Sequence, residues 1–272
     1  MPLESYVNQQ ELPADAVIWR FMKIPWFKDL LANEELYFCR ADNFPQDPNE
    51  GIPTDEWMRE SLNLQYLVLA DELSLKDHKG TLAQFRQNSY INCWHHFTGE
   101  DPVMWRGFSP YGAAIVSTYG QLRAALTPLV DRLHLGLVRY NYQRGDRYNT
   151  MNFIYTKGSQ FIKEDEVRIV MNWYEFGVKA NRHFDEFNHA HDRPLARYKL
   201  PKYIQHGKRR RIDLKSIVNG VVVSPWASSR VFRDVQFWTK TKFKLEATRS
   251  TLKGKTLLSL KEWKAYEERE LK

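Results

Sequence analysis

The sequence predicts an α+β protein with mixed, largely antiparallel sheets and flanking helices. Short apolar, β-branched runs of strand length recur from residue 17 to residue 225, broken by turn-forming clusters. Longer stretches with a helical apolar stripe lie between them. The chain's 272 residues, 43% apolar and 27% charged, suffice to bury a substantial core.

Taken in order, residues 1–16 are polar and read as a loosely held lead-in without a signal peptide. Residues 17–22 alternate as a first strand, 25–33 read as a helix and 36–39 as a second strand. A turn-rich loop fills 42–51. Residues 55–87 are mostly helical, with Trp57, Leu62, Leu64, Leu67 and Val68 on an apolar stripe. Strands are expected at 89–95, 113–118 and 135–142, with a helix at 119–126. The β-branched run from Glu166 predicts another strand, and 174–211 an irregular insertion. A strand over 217–225 and a basic helix over 228–243, with Val231, Val235 and Trp238 inward, complete a single domain ending near 255. Residues 256–272 read as a short charged helix.

No apolar run is long enough to span a bilayer. Cys39 and Cys93 fall in predicted strands without metal-ligand spacing, and read as reduced core residues of a cytoplasmic protein. Charge is uneven. Residues 201–254 hold thirteen Lys or Arg against Asp213, Asp234 and Glu246, with the sharpest run at Lys208, Arg209, Arg210 and Arg211. Such a run is either a nucleic-acid footprint or a solvated basic loop.

Two features point to chemistry. Arg20 is a cation inside an apolar first strand, so it needs either an internal carboxylate, such as Asp42 or Glu50, or an anionic ligand. Strand alternation places Glu164, Glu166 and Arg168 on one face, either as a surface ladder or at the mouth of a cleft. His183, His189, His191 and His206 lie among acids in the insertion, but no recognised metal-ligand spacing supports a site.

The opening WRF…LYFCRADNFPQDPNEG resembles that of an uncharacterised bacterial domain family. Cys93-Trp94 followed by Met104-Trp105, the ExEVR block at Glu164–Arg168 and the GVVVSP strand from Gly220 resemble the same family. Together they cover residues 17–170 and 214–250. Where that family carries Glu-Ser or a small residue before Met-Trp, this chain has Glu100-Asp101-Pro102, which leaves no hydroxyl there.

The arrangement in turn distantly resembles the ADP-ribosyltransferase fold. That resemblance implies Arg20 as the first-strand cation and Glu166, paired with Glu164, as the late-strand catalytic carboxylate. The middle element stays open between Trp94, Trp105, Tyr111 and Ser117. It further implies NAD as substrate, Arg20 on a phosphate or ribose oxygen, and an aromatic platform for nicotinamide. Glu166 would hold the ribose and offset an oxocarbenium-like charge. Nucleic acid is the acceptor the basic region suggests, in a toxin or anti-phage defence setting with a neutralising protein partner. The absence of GxGxxG argues against a Rossmann hydride enzyme. The alternatives are a non-catalytic nucleic-acid-binding or interaction module and, ranked below it, a metal-dependent nuclease.

Overall fold

The computed structural model describes residues 11–44, 47, 49–66, 72–129, 133–142, 149–172 and 207–252. The opening alternation forms β1 (Val17–Met22), which puts Trp19 and Phe21 on one face and Ile18 and Met22 on the other. Helix α1 (Ile24–Asn33) has Pro25 in its first turn, where a missing N–H is harmless. It ends on Glu34, whose left-handed backbone (φ 54°) reverses the chain. Phe27, Leu30 and Leu31 pack it onto the sheet, and β2 (Glu35–Arg40) follows.

Next come α2 (Asp55–Tyr66), α3 (Glu72–Gln87), β3 (Ser89–His96), α4 (Pro102–Phe108), β4 (Ala113–Thr118) and α5 (Tyr119–Leu126). They are followed by β5 (Leu133–Leu137), β6 (Arg139–Tyr140), α6 (Thr150–Ile154), β7 (Thr156–Lys157), a 3₁₀ helix (Ser159–Glu164) and β8 (Glu166–Asn172). The C-terminal elements are β9 (Gly207–Arg211), α7 (Leu214–Ile217), β10 (Gly220–Val223), α8 (Ser229–Phe243) and β11 (Thr248–Arg249). Among the described residues nine strands make one sheet, β11-β10-β4-β1-β3-β2-β9, with β8 also pairing β3 and β5 pairing β8. Within it only β10–β11 is parallel, so the fold is α+β with a largely antiparallel sheet and flanking helices.

Strand β3 is where the sheet forks. One edge lies against β8 along its length, from Ser89 opposite Asn172 to His95 opposite Glu166. The other edge is shared: β2 pairs Tyr90 and Ile91, while β1 pairs His95 and His96. Over residues 92–94 neither strand is in register with β3. There β1 continues along β4, and β2 along β9.

Several boundaries differ from the sequence reading. Residues 207–211, assigned to the insertion, form edge strand β9, while the rest of that insertion, its histidines included, lies outside the described residues. The expected strand over 217–225 shortens to β10 after a helical turn, and the one over 135–142 divides into β5 and β6. The described part of the lead-in is not loose. Ala14 and Ala16 carbonyls accept from Gly120 and Tyr119 at 2.9 Å each, and Glu11 pairs with Arg123 at 2.8 Å. The side chain of Leu64 in α2, residues Leu67 and Val68 of the same stripe, and the expected C-terminal helix fall outside what is described.

Gly112 closes the turn into β4, donating to Ser109 and accepting from Ser224. A Cβ there would overlap the Met22 carbonyl and the Ser109 hydroxyl, which are themselves hydrogen-bonded at 2.6 Å. Gly112→Ala is expected to lower stability by roughly 2–3 kcal/mol in urea denaturation.

Candidate ligand cleft at the fork of the sheet

Where β1 and β2 part, a cleft of about 330 Å³ opens. Arg20 and Phe21 line it from β1, Trp26 from α1, Tyr37 from β2, His95 from β3 and Phe108 from α4. The cleft draws on both faces of the sheet. Arg20 shares a face with Ile18 and Met22, whereas Phe21 and His95 meet edge-to-face at 5.9 Å on the other.

Arg20 has no carboxylate partner among the described residues. The acids that composition offered are engaged elsewhere: Asp42 pairs with Arg40, and Glu50 with Arg168 at 2.8 Å. The Arg20 Nη1 is buried without a hydrogen-bond partner, and its guanidinium lies 5.8 Å from the centre of the Trp94 ring. Burial pushes the guanidinium down to about 10, with Cys93 pulling the other way. At neutral pH it is a charged, incompletely solvated cation at the edge of an open cleft.

At the mouth, Trp26 (49% exposed) and Tyr37 stack with centroids 5.5 Å apart and planes 28° from parallel. The Arg209 guanidinium lies 5.6 Å over the Tyr37 ring. These rings form an aromatic wall large enough for a planar group.

Behind the cleft wall lies a buried charge cluster. Glu166, 1% exposed, holds Arg168 through both carboxylate oxygens at 2.8 and 3.0 Å, and Lys157 at 2.9 Å. Arg168 also reaches Glu50 at 2.8 Å and the Ile154 carbonyl, while Lys157 reaches Glu164 at 2.8 Å and Glu50 at 3.6 Å. Burial alone would raise the Glu166 carboxyl, but Arg168 and Lys157 outweigh it and hold it well below the usual range. For Glu164, burial prevails over the pull of Lys157 and raises the carboxyl. Glu166 and Arg168 are therefore fully buried, neither in a surface ladder nor lining the cleft. Glu164 ends the 3₁₀ helix instead of sharing the strand face. Asp165, left-handed at φ 37°, turns the chain between them.

The structure separates the residues that sequence reasoning grouped as one site. Arg20 lines the cleft and Trp94 lies beneath it, fully buried. Trp105 packs inside the core and donates to Glu100 at 3.0 Å, and Asp101 caps α4 where a hydroxyl was absent. Tyr111, 49% exposed, and buried Ser117 do not line the cleft. Arg20 and Glu166 do not pair, since Glu166 points with His95 to the opposite face. The basic run is strand β9. Arg209 meets Asp29 at 2.5 Å, Arg211 meets Glu34 at 3.8 Å, and Lys208 lies 5.0 Å over the Tyr90 ring. Arg210 donates to the Arg209 carbonyl at 2.8 Å.

His95 was missed. The signal available was period-two alternation, which puts it with Ile91 and Cys93 on one face of β3. Burial pushes its imidazole down to about 4, against the opposing influence of Glu166. An unfolded histidine would take up a proton near pH 6.5, so the folded state loses stability between pH 6.5 and 4. That loss is on the order of 3 kcal/mol. Glu166, whose carboxyl is depressed, adds a further loss as pH falls below its unfolded value near 4.5. Urea titrations at stepped pH are expected to show stability falling from pH 6.5 downward, with the first segment absent in His95→Asn.

Among the described residues no helix is long and apolar enough to cross a membrane, and no group of three His, Cys, Asp or Glu side chains is placed to hold a metal ion. Compared with known protein families, curated proteins and solved structures, the chain matches none.

Proposed function

We propose that the cleft binds a phosphate-bearing nucleotide and that NAD-dependent ADP-ribosyl transfer is the reaction it serves. One observation carries the binding half: Arg20, on the wall of an open cleft, has a buried Nη1 without a hydrogen-bond partner and no anionic partner among the described residues. Such a group gains most from an oxyanion, and a phosphate matches its planar fork. The Trp26–Tyr37 wall supports a ligand that also carries a flat ring.

The chemical half rests on the first-strand arginine, the late glutamates and their placement around one strand. In the transfer, the nicotinamide–ribose bond breaks and its electron pair leaves with nicotinamide. The acceptor then bonds to the ribose carbon and gives up a proton. Glu164, the more accessible carboxylate, takes that proton in this reading. Glu166 supplies negative charge behind the cleft wall, where it offsets the developing cation.

The test is nicotinamide release from NAD, with RNA, DNA or cell lysate as acceptor. Glu164→Gln is the informative variant, because its carboxylate has one ion-pair partner whereas Glu166 is built into the fold. A fall of roughly 100-fold or more at unchanged stability is expected. No nicotinamide release with any acceptor would remove the transferase and leave a nucleotide-binding module.

A further inference from the structure

We propose that His95 receives a ligand hydroxyl in this cleft, so that the preferred ligand is a ribose phosphate rather than a bare phosphate. The inference rests on the binding half of the function proposed above. His95 Nδ1 lies 2.9 Å from the backbone carbonyl oxygen of Glu164. A carbonyl only accepts, so Nδ1 carries the hydrogen. In the neutral ring Nε2 is then the acceptor, with its lone pair free.

Nothing among the described residues donates to Nε2. The ring is enclosed by Phe21, Phe97 and Phe108, at centroid distances of 5.9, 6.1 and 5.0 Å, and none of these side chains has a donor. The residue is 3% exposed and lines the cleft that Arg20 also lines. The cleft thus presents one unmatched cation and one unmatched acceptor. A pyrophosphate whose ends are esterified carries no hydrogen at neutral pH, so without a sugar it satisfies the first and brings the second nothing. A phosphorylated sugar satisfies both. Glu164 enters this arrangement through its backbone, which fixes the imidazole tautomer, independently of what its carboxylate does.

The experiment titrates the protein with P,P′-dimethyl pyrophosphate, which has no O–H, and with ADP-ribose, for wild type and His95→Asn. Asparagine keeps an N–H that can reach the Glu164 carbonyl and deletes the Nε2 acceptor. ADP-ribose affinity is expected to fall about tenfold in the variant, the size of one hydrogen bond, while the affinity for the dimethyl ester stays the same. In the wild type, imidazole nitrogen resonances read the same point without a substitution. The Nδ1-protonated tautomer is expected, with the Nε2 signal moving on addition of ADP-ribose and not of the dimethyl ester. Equal ADP-ribose binding by the two proteins, or an unmoved Nε2 signal, overturns the role of His95 alone. Failure of the dimethyl ester to bind the wild type removes the Arg20 reading, and the His95 inference with it.

Discussion

Arg168→Met is expected to lower stability by about 3–5 kcal/mol, the largest effect of any single substitution considered for this protein. Arg168 is fully buried, and three carboxylates crowd its surroundings. Its removal leaves Glu166, Glu50 and Glu164 to share the single ammonium of Lys157, which already lies 2.9, 3.6 and 2.8 Å from them. The carboxylates must then take up protons or remain buried and unpaired, and either is unfavourable relative to the unfolded chain. Urea denaturation at pH 7 checks the magnitude, and near-wild-type stability would contradict the ion-pair account. The cluster also bears on how Glu166→Gln is interpreted. That variant removes a carboxylate bound to both Arg168 and Lys157, so lost activity would accompany lost stability and could not by itself assign a catalytic role.

Arg20→Met should behave oppositely. Methionine fills similar space, and the substitution removes a desolvated charge with no anionic partner among the described residues. What is lost is the contact with the Trp94 ring, worth about 0.5–2 kcal/mol. The two contributions nearly cancel, and stability is expected to stay within about 1 kcal/mol of wild type. Binding of a phosphate-bearing ligand should weaken at least tenfold. Two arginines on the strands that flank β3 thus differ in kind: Arg168 is held by the fold's own acids, and Arg20 is left for something outside it.

How much of this was legible beforehand varies by residue. The β1–α1–β2 unit could be read because its apolar alternation, Pro25 and the turn after Asn33 are all local signals. Arg20 stood out for the same reason, as a charge inside an apolar alternation. Its lack of a carboxylate partner could not be read, because that depends on Glu50 meeting Arg168 across 118 residues of sequence. Strand β9 was missed because Gly-Lys-Arg-Arg-Arg has no apolar period. It is ordered by β2 pairing and by acids on α1 and β2 that its own segment does not contain. The fork of the sheet is likewise a matter of register. Which half of β3 each neighbour takes is set by tertiary packing, and with it the fact that Arg20, Tyr37 and His95 line one cleft.

The most direct measurement is a calorimetric titration of wild type and Arg20→Met with ADP-ribose, beside thermal melts of both. The account predicts saturable binding by the wild type, at least tenfold weaker binding by the variant, and melting midpoints within about 4 °C of each other. Equal binding by the two proteins, or no binding by a folded wild type, would contradict the assignment of Arg20 as the anion-binding residue of the cleft.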